Sequence, residues 1–153
     1  MLKSIFVVAS FLLNLCCFAQ VSVNNLLCEN KVNPLGIGIA QPQLSWQIFS
    51  NQRNVVQTAY EIRIRENVGD FKKEKKLVWH TDKDFSDQSV HIPYNGETLK
   101  SSAKYFGQVR VWDNYGNVSG WSSPAFFQMG VLHINDWKAK WVEAGFTDTV
   151  GQP

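Results

Sequence analysis

In the segment KYFGQVRVWD, residues 104–113, polar and non-polar residues alternate from Gly107 to Val111. One face of the segment would carry Tyr105, Gly107, Val109 and Val111, and the other would carry Phe106, Gln108, Arg110 and Trp112. A period of two is typical of a strand with one buried face. The segment is therefore predicted to be the longest strand of an antiparallel sheet.

Turn-rich stretches separate this segment from six further strand candidates. These are Val21–Cys28, Gln43–Phe49, Gln57–Arg65, Leu77–Thr81, Gln88–Tyr94 and Val118–Met129. The last of them is one strand or a pair of strands, interrupted by Ser122-Ser123-Pro124. The chain shows no convincing amphipathic helix and no internal repeat. The polar segment 67–76, with the charge run Lys72-Lys73-Glu74-Lys75-Lys76, is predicted to be a solvated loop, with an anion or membrane contact as the alternative. Seven short strands with turn signals between them, such as Asn95-Gly96, predict an all-β, seven-stranded antiparallel β-sandwich of the fibronectin type III or immunoglobulin-like kind.

The candidate strand Gln57–Arg65 shows the alternation most clearly. Tyr60, Ile62 and Ile64 are predicted to face the core, and Glu61, Arg63 and Arg65 to face solvent. A shift of one residue would bury both arginines, so the register of this strand is strongly specified.

The spacing of Leu99 and Tyr105 resembles the tyrosine corner of β-sandwiches. In that motif, the hydroxyl of a tyrosine at the start of a late strand forms a hydrogen bond with the backbone a few residues upstream. Trp46, in the second candidate strand, is the matching core tryptophan, and it is expected to share one core with Tyr105. The predicted core residues are Trp46, Tyr60, Ile62, Leu99, Tyr105, Val109 and Val111.

The first 19 residues are typical of a secretory signal peptide. A basic start at Lys3 precedes an uncharged apolar run from Ser4 to Phe18, and small residues precede a cleavage point before Gln20. The run is short for a membrane anchor, which needs about 20 residues. A lipoprotein signal with Cys16 or Cys17 lipidated is the alternative. The expected destination is secreted or periplasmic.

Composition limits the remaining possibilities. The formal net charge of +2 is too small to indicate a nucleic-acid partner. Once a signal peptide is removed, Cys28 is the one cysteine left, so no internal disulfide can form. Cys28 lies beside Leu26 and Leu27 and is predicted to be a buried, unreactive thiol.

A narrower resemblance rests on short motifs in a fixed order. They are Cys28-Glu29-Asn30, Val32-Asn33-Pro34-Leu35-Gly36, Pro42-Gln43-Leu44-Ser45-Trp46, Gln57-Thr58-Ala59-Tyr60, Val109-Arg110-Val111-Trp112-Asp113 and Trp121-Ser122. The chain thereby resembles the N-terminal module of bacterial α-L-rhamnosidases of glycoside hydrolase family 78. The segment 136–142 is similar to the point where those enzymes enter their next β-domain.

This resemblance implies a division into a signal peptide (1–19), a β-sandwich (20–131) and a linker with the start of a following domain (132–153). The family's catalytic centre is expected in a helical barrel far downstream, so no catalytic residue carries over. The implied role is a non-catalytic accessory module, expected to be a truncated gene product or an isolated N-terminal module. Its partners would be the catalytic and β-domains of a rhamnosidase. No cofactor, metal or nucleic acid is expected.

Acidic and histidine side chains offer only weak alternatives for chemistry. Asp82, Asp84 and Asp87 lie close together, but no apolar wall is evident that would raise the pKa of a catalytic acid. The same loop lacks the glycine and the distal glutamate of a calcium loop. His80, His91 and His133 have no zinc-ligand spacing.

Aromatic side chains are the better candidates for binding. They are Trp79, Phe106, Trp112, Tyr115, Trp121, Trp137 and Trp141. Three interpretations stay open: a second layer of core, a contact with a neighbouring domain, or a platform on which sugar rings stack. If the chain were a remnant without function, exposed Trp137 and Trp141 would be expected to cause self-association.

Overall fold

A computed structural model describes residues 21–73, 77–140 and 142 of the chain. Seven strands run through this part, and they match the seven predicted runs. They are β1 (Ser22–Cys28), β2 (Gln43–Phe49), β3 (Gln57–Arg65), β4 (Trp79–His80), β5 (Ile92–Pro93), β6 (Lys104–Asp113) and β7 (Ala125–Gln128). A single helical turn, α1, spans Asp70–Lys73, and a 3-10 turn spans Ile134–Asp136.

The strands form two antiparallel sheets that pack face to face. One sheet has the order β1-β2-β5 and the other has the order β4-β3-β6-β7. The connections from β2 to β3, from β4 to β5 and from β5 to β6 therefore cross between the sheets. The predicted all-β, immunoglobulin-like sandwich is confirmed.

The core lies between the two sheets, as two inner faces require. Each of the seven predicted core residues is at most 5% exposed and belongs to one buried cluster; they are Trp46, Tyr60, Ile62, Leu99, Tyr105, Val109 and Val111. Trp46 packs edge-on against Tyr60, with ring centroids 5.1 Å apart, and Tyr105 stacks on Phe127 at 5.6 Å. Trp46 and Tyr105 thus share the core but have different ring partners.

Three strands are shorter than the sequence predicts. The longest discrepancy follows the 114–117 turn, where regular pairing with β6 gives way to serine side chains. Ser119 Oγ accepts the N–H of Val111 at 2.9 Å, and Ser122 Oγ accepts the N–H of Val109 at 3.1 Å. Serine hydroxyl groups thereby accept the β6 N–H groups where no regular strand pairs with β6. The strand β7 begins only at Ala125.

The polar segment 67–76, predicted to be a loop, contains the helical turn α1. Its Phe71 side chain is buried at 9% exposure and lies over two β3 side chains, with the guanidinium carbons of Arg63 and Arg65 at 5.0 and 5.4 Å from the ring centroid. Residues 74–76, the end of the predicted charge run, lie outside the described residues.

The solvent-facing position predicted for Arg65 is wrong. Arg65 points away from the core as the alternation requires, yet it is only 3% exposed. The reason is that Phe71 comes from a different segment and covers the outer face of β3 at this point. Strand periodicity reports which face a side chain occupies, and it does not report what else covers that face.

None of the helices in residues 21–73 and 77–140 is long and apolar enough to span a membrane. The predicted signal peptide, residues 1–19, lies outside the described residues.

The predicted hydrogen bond of the tyrosine corner is present. The backbone N–H of Lys100 donates to the hydroxyl of Tyr105 over 2.9 Å, and Leu99 packs into the core directly before it. The bond lies at the end of the connection from β5 to β6, and it fixes that connection against the first inward-facing residue of β6.

Tyr105→Phe is expected to lower the free energy of unfolding by about 1 kcal/mol, because the Lys100 N–H loses its acceptor while the ring stays in place. Urea unfolding of both proteins measures the difference. Tyr115→Phe is the matched control, since Tyr115 is half exposed and its hydroxyl makes only a long 3.4 Å contact with the Arg53 carbonyl. Equal midpoints for wild type and Tyr105→Phe would contradict the assignment.

Candidate functional site

The outer face of the four-stranded sheet holds the densest group of charged and aromatic side chains in the described residues. It is built by β3 and β6, whose register pairs Glu61 with Arg110, Arg63 with Gln108 and Arg65 with Phe106. Directly opposed residues on one face lie within reach of each other. The segment 119–122 adds Trp121 to the face, and α1 adds Phe71.

Cations and rings alternate across this face in one continuous row, here called the cation–aromatic row. In order, it consists of Arg65, Phe71, Arg63, Trp121, Arg110, Trp112, Lys83 and Phe85. The closest step places the Arg63 guanidinium carbon 4.0 Å from the Trp121 ring centroid. Each such contact contributes roughly 0.5–1 kcal/mol at exposed sites and more when water is excluded.

Hydrogen bonds hold two of the three arginines in place. Arg110 forms an ion pair with Glu61, with N–O distances of 2.5 and 2.7 Å. Arg63 donates from Nε and Nη2 to the Gln108 side-chain oxygen at 3.0 and 2.7 Å. Gln108 in turn donates to the carbonyl of Ser122 at 2.6 Å, which fixes the segment that carries Trp121.

A cleft of about 350 Å³, here called the Arg65 cleft, opens on this face. Its lining residues are Glu61, Arg63, Arg65, Leu77, His80, Arg110 and Trp121. Three arginines against one glutamate give the cleft a positive charge. Arg65 differs from the other two, because its Nε and Nη1 atoms are buried and have no hydrogen-bond partner. Two buried guanidinium nitrogens without partners are costly, so their presence calls for a physical reason.

The structure places the predicted aromatic candidates in three different settings. Trp112 and Trp121 belong to the cation–aromatic row, and Phe106 packs on Phe126 beside it with ring centroids 6.2 Å apart. Trp79 instead contacts Tyr94 edge-on at 5.0 Å and packs against the core.

The other three candidates lie away from this face or beyond what can be described. Tyr115 is half exposed in the turn after β6, and Trp137 is 58% exposed in the segment after the 3-10 turn. Trp141 lies outside the described residues.

Sequence reasoning missed the cations of the row and the buried Gln57. Gln57 accepts the Trp46 indole N–H at 2.9 Å and donates to the carbonyls of Ser86 and Gln88 at 3.1 and 2.9 Å. The signal for the arginines was present in the alternation of β3 and β6. It required the pairing register of the two strands, which brings Arg63 and Arg110 to the same part of one face.

The acidic candidates are not assembled into a catalytic pair. Asp84 accepts the hydroxyl of Tyr60 at 2.7 Å, while Asp82 and Asp87 are exposed. Burial and the bond to Asp84 raise the pKa of Tyr60 to about 12. Within residues 21–73 and 77–140, no group of three or more His, Cys, Asp or Glu side chains could hold a metal ion.

The thiol of Cys28 is buried and free. Burial, and then the nearby charge of Glu29, raise the pKa of Cys28 to about 12. The thiol is therefore protonated at neutral pH, and a protonated buried thiol is a poor nucleophile.

Comparison with known proteins identifies close relatives of this domain. Residues 23–133 match the family described as the Rha78A-like, N-terminal immunoglobulin domain. An alpha-L-rhamnosidase of Streptomyces avermitilis is 39% identical over 116 residues, which cover 76% of this chain. An alpha-L-rhamnosidase of Formosa agariphila is 32% identical over 124 residues, or 80% of this chain.

Solved structures give the same result. The alpha-L-rhamnosidase of Streptomyces avermitilis complexed with L-rhamnose matches 81% of this chain with a TM-score of 0.75 and 36% identity. The alpha-L-rhamnosidase of Dictyoglumus thermophilum matches 80% with a TM-score of 0.75 and 34% identity. The chain spans only 11–14% of the length of these relatives. The resemblance predicted from the motifs is confirmed.

Proposed function

Because the chain belongs to the family of Rha78A-like N-terminal immunoglobulin domains, we propose that it is a non-catalytic accessory module of a longer alpha-L-rhamnosidase. Its role is to support or orient the catalytic part of that protein, which acts on rhamnosides of plants or polysaccharides. The relatives are seven to nine times as long as the matched region, so the residues responsible for their activity can lie in the rest of their own chains.

One observation carries the proposal: three carboxylates of the described domain are paired within its own fold. Glu61 is paired with Arg110, Asp84 with the Tyr60 hydroxyl, and Glu66 with Lys100. Glycoside hydrolysis needs two carboxyl groups about 5–9.5 Å apart across a sugar-binding cleft. Carboxylates that are occupied in this way favour a structural role.

The test is an assay of the purified 153-residue chain with an aryl α-L-rhamnoside. No release of the aryl group above a heat-denatured sample is expected, because Glu61, Glu66 and Asp84 are already paired within the fold. Turnover that increases with protein concentration would overturn the proposal. A full-length rhamnosidase serves as the positive control for the substrate.

A carbohydrate-binding module is the second candidate, and the tryptophans of the outer face are the observation that favours it. Against it stands the cation–aromatic row, because two cations lie over each of Trp112 and Trp121. A sugar that stacks on either ring competes with a guanidinium or ammonium group. Tryptophan fluorescence during titration with a rhamnose-containing polysaccharide separates the two functions, since only a binding module gives a saturable change.

Export is part of the same proposal. The basic start and apolar run of residues 1–18 support a cleaved signal peptide. N-terminal sequencing of the protein recovered outside the cytoplasm is expected to begin at Gln20. A lipidated amino terminus at Cys16 or Cys17 would instead show that the protein is anchored to a membrane.

A further inference from the structure

The Arg65 cleft holds a cation that the fold does not use. Nε and Nη1 of Arg65 are buried without hydrogen-bond partners, and the whole residue is 3% exposed. The two ion pairs of the described residues involve Arg110 and Lys100 instead. Phe71 supplies a ring contact at 5.4 Å, which offsets only part of the cost of burying a charge.

The surroundings of Arg65 fit an anion with a planar, two-oxygen group. Arg65 and Arg63 follow each other on the outer face of β3, and both line the cleft with Trp121 and Arg110. Glu61 is the carboxylate in the cleft lining, and it is already bound by Arg110 at 2.5 Å. A guanidinium binds a carboxylate through two parallel hydrogen bonds, from Nε and Nη2 or from Nη1 and Nη2, so a carboxylate at Arg65 uses Nη2 and displaces the side chain that covers Nε or Nη1.

We propose that the Arg65 cleft receives a carboxylate from an Asp or Glu side chain on an adjoining domain of the longer rhamnosidase. This inference rests on the proposed accessory function. Protein is favoured over an acidic sugar as the source because the Trp112 and Trp121 rings already carry two cations each. The matched relatives are seven to nine times as long as the region that they share with this chain, so adjoining domains are available to cover this face.

Weak intrinsic affinity is sufficient for such a contact. A single carboxylate in a cleft of this kind is expected to bind with a Kd on the order of 1–10 mM, since only one or two charged hydrogen bonds form. Within one polypeptide, the adjoining domain is present at an effective concentration in the millimolar range, so the contact is well populated.

The test uses the full chain and follows the indole N–H resonance of Trp121 by NMR. The probes are acetate and a glutamate blocked at both ends, and the matched neutral probe is the blocked glutamine. Both carboxylates are expected to shift the resonance saturably, and the glutamine is expected to leave it unchanged. Ionic strength is held constant with chloride, so that general screening does not contribute.

Two variants locate the response. Arg65→Met is expected to weaken the carboxylate response at least tenfold while its melting temperature stays equal to that of the wild type or rises, because a neutral side chain of similar length replaces a buried charge. Arg53→Met is the matched control, since Arg53 is exposed in the loop between β2 and β3, and it should keep the full response.

Three results would overturn the proposal. If no carboxylate gives a saturable shift, the proposed site does not exist. If Arg65→Met responds as the wild type does, Arg65 is not the binding residue. A hexuronate that binds at least tenfold more tightly than blocked glutamate, while the neutral hexose does not bind, makes an acidic sugar the source. Rhamnoside hydrolysis is assayed on the same samples; turnover there would refute the accessory function, which the carboxylate titration does not measure.

Discussion

Trp46→Ala is expected to lower the free energy of unfolding by about 3–5 kcal/mol, the range for removing a tryptophan from a packed core. The ring is 2% exposed and packs edge-on against Tyr60. The substitution also removes the donor to the Gln57 side-chain oxygen, which is itself buried. Urea unfolding followed by far-UV circular dichroism measures the loss without relying on tryptophan emission.

The consequence reaches beyond the cavity. Gln57 holds the carbonyls of Ser86 and Gln88, and through them the loop that leads from β4 to β5. A small domain has about 5–15 kcal/mol of stability in total, so this loss is a large share of it. Trp137→Ala removes the same side chain from an exposed position and is expected to stay within about 0.5 kcal/mol of the wild type. Similar losses in the two variants would contradict the assignment of Trp46 to the core.

Gly96→Ala is expected to lower the free energy of unfolding by about 1–3 kcal/mol through overpacking. A Cβ atom at this position would lie 2.5 Å from the Cβ of Trp79 and against the hydroxyl of Tyr94. The Tyr94 ring is buried and packs against Trp79, and its hydroxyl donates to the Glu97 carbonyl at 2.7 Å. Neither neighbour can move without breaking one of these contacts.

Gly120→Ala provides the matched control. An added Cβ there meets no atom within 4 Å, and the backbone is not in the left-handed region. Restricting the unfolded chain at such a position stabilises a protein by about 0.4–1 kcal/mol. In thermal unfolding, the melting temperature of Gly96→Ala should therefore lie below that of the wild type, and that of Gly120→Ala should lie above it. A Gly96→Ala protein as stable as Gly120→Ala would show that the Trp79–Tyr94 contact is not tightly packed.

Gly96 also shows why a correct local signal can have a different cause. The pair Asn95-Gly96 is a turn signal, which usually reflects the need for a positive φ. The chain does bend there, but Gly96 does not have a left-handed φ. Glycine is required because Trp79, from a distant part of the chain, and Tyr94, two residues before it, approach its backbone closely.

The amino-acid sequence by itself determined the seven strands, the inward faces of β3 and β6, and the Tyr105 corner. These features depend on the period of two and on short spacings, and such patterns are fixed by neighbouring residues. Only the tertiary structure decided that Arg65 is buried, that cations and rings form one row, and that Gln57 joins Trp46 to the loop before β5. Those contacts join residues from distant segments, so they exist only after the strands pair in register and α1 folds over β3.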